Sequence, residues 1–164
     1  KGLISIADKY KTNLSIVKSV VKSNNDRKFL LNKRINHIMN NKIKNKKIAI
    51  LGETFKANTD DMRDSSSLSL VSYLLKRGGL VRYYDPSGPK KTFGRNINLK
   101  FESTVAKACN KVDLIIINTE WDEFKSIDFR RIVKNNYFKI FDLRNLYNPV
   151  ELKKRKIKYY SIGR

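Results

Sequence analysis

The segment VDLIIIN, residues 112–118, has large apolar side chains at four consecutive positions, Leu114 to Ile117. Successive side chains of a β-strand point to opposite faces of the sheet, so this run is apolar on both faces. Strands of that kind lie in the middle of parallel sheets that helices cover on both sides. We therefore interpret residues 112–118 as the central strand of an α/β sheet.

Short apolar runs and helical patterns alternate along the chain on both sides of this segment. Further strands are predicted at residues 47–52, 80–84, 98–101, 137–142 and 158–162. Helices are predicted between the strands, at residues 65–77, 103–110, 121–135 and 149–155. Strands that alternate with helices through short loops predict a Rossmann-like, doubly wound parallel sheet of about six strands.

A long helix is predicted before the sheet, over residues 13–40. Its apolar residues recur at spacings of three and four, and either Asn13 or Ser15 is expected to cap its first turn. A polar, lysine-rich stretch ends this pattern and forms a linker. We therefore predict two units, a helical segment at residues 1–46 and a sheet domain at residues 47–164.

The composition of the 164-residue chain excludes several classes of protein. With 40% hydrophobic residues the chain is too apolar to be wholly disordered, and its one cysteine, Cys109, cannot build a disulfide scaffold. Residues 1–10 lack the uninterrupted apolar stretch of a signal peptide, and no apolar run is long enough to cross a membrane. We therefore expect a cytoplasmic protein. Neither Cys109 nor His37 has a partner at metal-ligand spacing, so no metal site is predicted.

The formal net charge of +21 raises the alternative of a nucleic-acid-binding module. The cations are mostly scattered lysines, 25 against 11 arginines, although residues 1–47 are denser in charge than the rest. Lys, Asn and Ile all have A/T-rich codons and together make up 59 residues, so a biased genome accounts for much of this composition. Sites that bind phosphates by bidentate contacts favour arginine, and no nucleic-acid-binding motif is present. Nucleic-acid binding is therefore the secondary interpretation.

Loops that follow predicted strands carry unusual side chains. In open parallel sheets, ligands bind at the carboxyl ends of the strands, near the point where the strand order reverses. The loop 52–65 (GETFKANTDDMRDS) has a single glycine and matches neither a dinucleotide fingerprint nor a P-loop. It places Phe55 beside Lys56 and puts Arg63 near a helix start, while Arg144 follows another strand. An aromatic ring next to cations predicts a site for a nucleotide with an anionic diphosphate.

Each of these residues also has a purely structural interpretation. Phe55 fits equally well as a core residue. Arg63 and Arg144 have the alternative of ion pairs with Asp61 or Asp142, which would tie neighbouring loops together.

Loop 52–65 closely resembles the corresponding segment of the UDP-glucose 6-dehydrogenase family. Four further segments agree with that family in order and spacing: residues 84–86 (YDP), 119–124 (TEWDEF), 142–149 (DLRNLYNP) and 159–164 (YYSIGR). The helix that contains NNDRK, residues 24–28, resembles the long central helix of the family. The resemblance covers essentially the whole chain and corresponds to that helix plus the C-terminal, UDP-binding domain.

The resemblance implies an NAD-dependent enzyme that oxidises UDP-glucose to UDP-glucuronate in two hydride transfers. Phe55 and Lys56 match family positions that contact the UDP-sugar, and Arg144 matches a substrate-contacting arginine. Arg63 matches an arginine that reaches NAD. Residues 1–46 match the helix through which the family dimerises, so the resemblance also implies a homodimer.

The chain departs from the family in what it lacks. The glycine-rich NAD-binding domain and the catalytic-cysteine segment have no counterpart here, and Cys109 is in the wrong place to replace that cysteine. No catalytic residue is therefore predicted. The chain alone is expected to bind UDP or UDP-glucose without catalysis, with a missing N-terminal dehydrogenase half as partner. A fragment, half of a split enzyme and the remnant of a decayed gene all fit this pattern.

Two further points stay open at this stage. Glu53 stands where the family usually has an apolar or small residue, which is expected to bring an extra acid near the phosphates. A related nucleotide-sugar dehydrogenase, acting on GDP-mannose or UDP-N-acetylmannosamine, is an alternative source of the same domain.

Overall fold

The computed structural model describes residues 2–163, so Lys1 and Arg164, the outer ends of the two predicted units, lie outside the described residues. The helices are α1 (Gly2–Lys9), α2 (Ser15–Ile38), α3 (Ser66–Lys76), α4 (Val105–Cys109), α5 (Phe129–Ile132) and α6 (Pro149–Lys154). The strands are β1 (Lys47–Leu51), β2 (Leu80–Tyr84), β3 (Leu99–Phe101), β4 (Leu114–Ile117), β5 (Lys139–Asp142) and β6 (Lys158–Ser161). Two 3₁₀ turns lie at Lys91–Phe93 and Asp122–Ser126.

The six strands form one sheet in which every neighbouring pair is parallel, in the order β3-β2-β1-β4-β5-β6. This is the order of a doubly wound Rossmann-like sheet, and it confirms the predicted fold class. The strand order reverses between β1 and β4, where Ile50 lies opposite Ile116. The carboxyl ends of these two strands therefore form the topological switch point.

The side chains of β4 alternate between two hydrophobic cores, one on each face of the sheet. Leu114 and Ile116 belong to the core that α2 and α3 cover, whereas Ile115 and Ile117 belong to the core under α4, α5 and α6. All four are completely buried, and burial of such a side chain stabilises the fold by about 1.5–3 kcal/mol. Cys109 is completely buried in the second core.

The long helix is confirmed, but its start differs from the prediction. Leu14 occupies the N-cap position and no side chain caps the first turn, so the prediction of a cap at Asn13 or Ser15 was wrong. A separate helix, α1, precedes it and was not predicted. The salt bridge between Lys18 and Asp8, 2.7 Å long, connects the two helices.

The two halves of α2 have different surroundings. Its C-terminal half packs Leu31, Ile35 and Ile38 against the sheet. Its N-terminal half leaves large apolar side chains exposed, including Ile16 at 80%. The sheet therefore uses only the second half of the apolar pattern that identified the helix.

The single helix predicted at residues 121–135 was wrong. The segment contains the 3₁₀ turn Asp122–Ser126 and the short helix α5, separated by extended backbone at Ile127. Phe124 and Phe129 both pack into the same core. In a continuous α-helix, residues five apart point in directions that differ by about 140°. The helix is therefore interrupted between Phe124 and Phe129, so that both side chains reach the same core.

Candidate functional site

A cleft of about 490 Å³ lies between α2 and the carboxyl edge of the sheet. One wall comes from α2 and consists of Val21, Asn24, Asn25, Arg27, Lys28 and Leu31. The other wall comes from the loops that follow β1, β4 and β5 and from the start of α3, and consists of Phe55, Asp64, Ser66, Asn118, Leu143 and Arg144. The cleft therefore lies at the switch point, where the strand order predicts a ligand site.

The loop after β1 leaves the sheet through a residue that must be glycine. Gly52 has a φ of +80°, and a Cβ atom there would lie 2.5 Å from the Cβ of Thr119. A few residues on, the N–H of Phe55 donates a hydrogen bond of 2.8 Å to the carbonyl of Asp61, which closes the loop. The Phe55 side chain is 51% exposed and lines the cleft, so its interpretation as a core residue was wrong.

Arg144 reaches the cleft from the end of β5 and is held by groups on two other loops. Its Nε–H donates to the carbonyl of Asn118 at 2.7 Å, and its Nη2 donates to the carbonyl of Phe55 at 3.3 Å. The carboxylate of Glu120 lies 2.9 Å from the same Nε and forms an ion pair with it. Asp142 accepts a hydrogen bond from the backbone N–H of Arg144, at 2.8 Å, and no ion pair joins these two side chains among the described residues.

Arg63 is engaged by a neighbour on its own loop. Its Nε and Nη2 donate to the two carboxylate oxygens of Asp61, at 3.0 and 2.9 Å, which is the alternative predicted for this arginine. The hydrogen bonds from Arg63, helped by the charge of Lys56, lower the pKa of Asp61 to about 2. The Arg63 side chain is nevertheless 90% exposed.

The structure thus brings two of the four predicted site residues together. Phe55 and Arg144 line the same cleft, whereas Lys56 and Arg63 project from the outer part of the loop and do not line it. Lys56 is exposed and follows Phe55 directly, so its position is adjacent to the cleft.

The wall from α2 was not predicted as part of the site. Lys28 lies 4.0 Å from the carboxylate of Asp64, and Arg27 adds a second cation to the same wall. The sequence carried a signal for it, because polar residues at positions 24, 25 and 28 interrupt an apolar face at helical spacing. Polar groups on a face that otherwise points to the core indicate a wet cleft there.

The loop after β1 rests on a buried carboxylate at the end of β2. Asp85 accepts hydrogen bonds from the N–H groups of Glu53 and Thr54, at 2.6 and 3.2 Å. The ammonium group of Lys90, also buried, lies 3.3 Å from Asp85. Burial opposes the ionisation of Asp85, but hydrogen bonds from Ser87 and the loop, together with the charge of Lys90, hold its pKa below the usual value.

Glu53 points into this buried cluster and does not line the cleft. The side chain is completely buried, and among the described residues neither carboxyl oxygen has a hydrogen-bond partner. The nearby hydroxyl of Ser67 donates instead to the main-chain carbonyl of Glu53, at 2.7 Å. Burial, reinforced by the charge of Asp85, raises the pKa of Glu53 well above its usual value. The acid expected near the phosphates thus lies in the interior.

Neither a candidate metal site nor a membrane-spanning helix is found within residues 2–163. No group of three or more His, Cys, Asp or Glu side chains is placed to hold a metal ion. In the same part of the chain, every helix is too short or too polar to cross a membrane.

The fold and the cleft define a Rossmann-like α/β domain whose ligand site lies at the topological switch point. Residues 49–149 match the model of the UDP binding domain of the UDP-glucose/GDP-mannose dehydrogenase family. This match covers more than half of the sequence, and the chain belongs to that family.

Relatives in several bacteria are similar to nearly the whole chain. A UDP-glucose 6-dehydrogenase of Rickettsia bellii is 38% identical over 90% of this chain and 35% of its own length. Those of Rickettsia typhi and Rhizobium meliloti are 36% and 35% identical, and each match covers 99% of this chain and 38% of the relative. The chain therefore spans little more than a third of the length of these relatives.

Solved structures share the fold at lower identity. A UDP-glucose dehydrogenase from Pyrobaculum islandicum superimposes with a TM-score of 0.77 at 23% identity, over 97% of this chain and 34% of that one. A GDP-mannose dehydrogenase from a Pseudomonas gives 0.68 at 18% identity, over 98% of this chain and 37% of that one. At these identities the likeness shows the fold alone.

Proposed function

We propose that this chain is the UDP-binding part of an NAD-dependent UDP-glucose 6-dehydrogenase, and that its cleft takes the UDP portion of the sugar nucleotide. The observation that carries the proposal is the convergence of Phe55 and Arg144 on one cleft at the switch point. Its volume of about 490 Å³ is within the usual range for small-molecule sites. The family match and the names of the relatives favour this substrate class.

The side chains around the cleft suit the parts of UDP. Phe55 offers a half-exposed aromatic face on which the uracil packs. Arg144 donates two of its five N–H groups to backbone carbonyls, which leaves three for the diphosphate. Lys56 lies next to Phe55 and supplies a second positive charge through its flexible side chain.

In this proposal the chain contributes binding energy, while the catalytic residues belong to the N-terminal dehydrogenase half. Contacts to UDP, remote from the reacting carbon, hold the sugar in the orientation that the reaction needs. The chain alone binds the nucleotide and does not catalyse.

NAD is the cofactor of the proposed enzyme and accepts the hydride when it is bound. Arg63 is the residue of this chain assigned to it. The fit is partial, because Asp61 engages one edge of the guanidinium while the 90% exposed side chain leaves its other N–H groups to an anionic pyrophosphate. The single glycine of loop 52–65 does not form a dinucleotide-binding turn, so the sheet itself is not the NAD site.

Exposed apolar residues of the first two helices, and of the turn between them, support a further part of the proposal. Large apolar residues that are more than half exposed occur there: Leu3, Ile6, Tyr10, Ile16, Val20, Phe29 and Leu30. So many exposed apolar side chains in one part of a chain indicate a protein interface. We assign this region to a homodimer interface, and we propose that the enzyme is cytoplasmic.

Isothermal titration of the chain with UDP, UDP-glucose and GDP tests the proposed function. We expect saturable binding of UDP and UDP-glucose, and a loss of affinity of about tenfold in Arg144→Ala, because one charge-assisted contact is removed. Lys56→Ala is expected to weaken binding by a smaller factor. The matched control for Arg144→Ala is Arg95→Ala, since Arg95 is an exposed arginine that does not line the cleft.

Other outcomes of this titration point to the alternatives. Preference for GDP would favour a GDP-mannose dehydrogenase as the source of the domain. Absence of nucleotide binding, together with sequence-dependent binding of DNA or RNA that survives moderate salt, would favour the nucleic-acid interpretation and overturn the proposal.

A further inference from the structure

Asn118 lies at the centre of the site, where β4 ends and the loop behind the cleft begins. Its side chain is almost completely buried, with 1% of the residue exposed. Its Nδ2 donates to the carbonyl of Gly52 at 2.9 Å, and its Oδ1 accepts from the hydroxyl of Ser66 at 2.5 Å. One side chain thus connects the end of β4 with both ends of the loop that carries Phe55.

The orientation of Arg144 depends on the distance between two loops. Its guanidinium donates to the carbonyls of Asn118 and Phe55, which follow different strands, β4 and β1. A planar guanidinium can serve both carbonyls only if they keep one spacing and direction. Backbone bonds from Asn118 and Thr119 to the carbonyl of Leu51 join the bases of the two loops. Side-chain bonds add to them, among them the Asn118 amide on Gly52 and the Thr119 hydroxyl on the carbonyl of Thr54, at 2.6 Å.

We propose that Asn118 is a positioning residue for nucleotide binding: its amide holds the loops after β1 and β4 in the register that aims Arg144 at the diphosphate. This inference rests on the proposed function of the cleft. Asn118 is assigned no contact with the uracil ring, so its loss should weaken binding of the diphosphate and leave binding of the uridine part unchanged.

Removal of the amide has a defined consequence. In Asn118→Ala the carbonyl of Gly52 loses its side-chain donor and Ser66 loses its acceptor. The backbone carbonyl of Asn118 remains, so Arg144 keeps its acceptor, but fewer contacts now fix the position of that acceptor relative to Phe55. Affinity for the diphosphate should then fall while the aromatic face of Phe55 stays available.

The experiment compares the affinities of the chain for UDP and for uridine, by calorimetry and by ligand-observed NMR. For Asn118→Ala we expect UDP affinity to fall about tenfold, the size of one charge-assisted hydrogen bond, and uridine affinity to change less than about twofold. Asn135→Ala is the matched control, because Asn135 donates to the carbonyl of Val112, at 2.8 Å, just before the other end of β4. It should be destabilised without a change in either affinity.

Each result decides between the claims. If the unmutated chain binds no UDP, the proposed function fails and this inference fails with it. If the unmutated chain binds UDP but Asn118→Ala binds it within twofold, or loses UDP and uridine equally, the inference alone is overturned. If Asn118→Ala does not fold, Asn118→Ser takes its place, since one hydroxyl cannot span both contacts, and the same outcomes apply.

Discussion

The buried carboxyl of Glu53 should make the protein less stable, and more so as the pH rises. Neither carboxyl oxygen has a hydrogen-bond partner among the described residues, and a buried polar group in that state costs about 1–3 kcal/mol. We therefore expect Glu53→Leu, which fills a similar volume with apolar atoms, to raise the free energy of unfolding by about that amount at pH 8.

The sign of the pH dependence follows from the raised pKa of Glu53. The folded protein keeps the Glu53 proton at pH values where the unfolded chain has released it. Stability contributed by that proton is complete below the ordinary glutamate pKa of 4.5 and falls as the pH rises through the folded pKa, by up to about 1.4 kcal/mol for each pH unit. The advantage of Glu53→Leu should therefore shrink as the pH is lowered from 8 to 5.

Urea unfolding followed by circular dichroism measures the free energy of unfolding of both proteins at pH 8 and at pH 5. Differences between variants isolate Glu53 from the general charge repulsion of a +21 chain. The matched control is Glu151→Leu, at an exposed position of α6, which should change stability little. A Glu53→Leu variant no more stable than the unmutated chain at pH 8, or equally stabilised at pH 8 and pH 5, would show that the buried carboxyl does not destabilise the fold in this way.

Two other variants test the geometry of the site. Gly52→Ala should cost at least about 2 kcal/mol of folding stability, because alanine is strained at a φ of +80° and its Cβ would clash with Thr119. Gly88→Ala is the control: φ is +87° there and nothing lies within 4 Å of the added Cβ, so only the strain remains. Equal losses in chemical denaturation would contradict the clash. Glu120→Gln should strengthen UDP binding about two- to fivefold at low salt, because it releases Arg144 from its ion pair. Unchanged or weaker binding in calorimetry would show that Glu120 does not compete with the ligand.

Much of the fold could be predicted because apolar patterns report burial directly. The four apolar residues of β4 indicated a strand covered on both faces, and the two cores confirm it. The helix predicted at residues 121–135 failed because the pattern does not show that Phe124 and Phe129 share one core. The unpredicted helix α1 is short, leaves Leu3 and Ile6 exposed and buries Ala7, so its pattern gave little evidence of a neighbour.

The site was predictable where it depends on loops after strands, and not where it depends on long-range contacts. Phe55 and Arg144 follow β1 and β5, and parallel topology brings such positions together. The α2 wall and Asn118 contribute only through packing of segments far apart in sequence. Glu53 lies on the same loop as Phe55, but the sequence does not reveal that its side chain points inward to Asp85.

The strand order also has a consequence for how the protein folds. β1 pairs with β4, so residues 48–51 must meet residues 114–117. The pairs β1–β2, β2–β3 and β5–β6 join strands that are much closer in sequence. Loop closure of that length is slow, so we expect the meeting of the two half-sheets to be a late step of folding. Because the cleft exists only after this step, nucleotide should slow unfolding and leave the rate of folding unchanged.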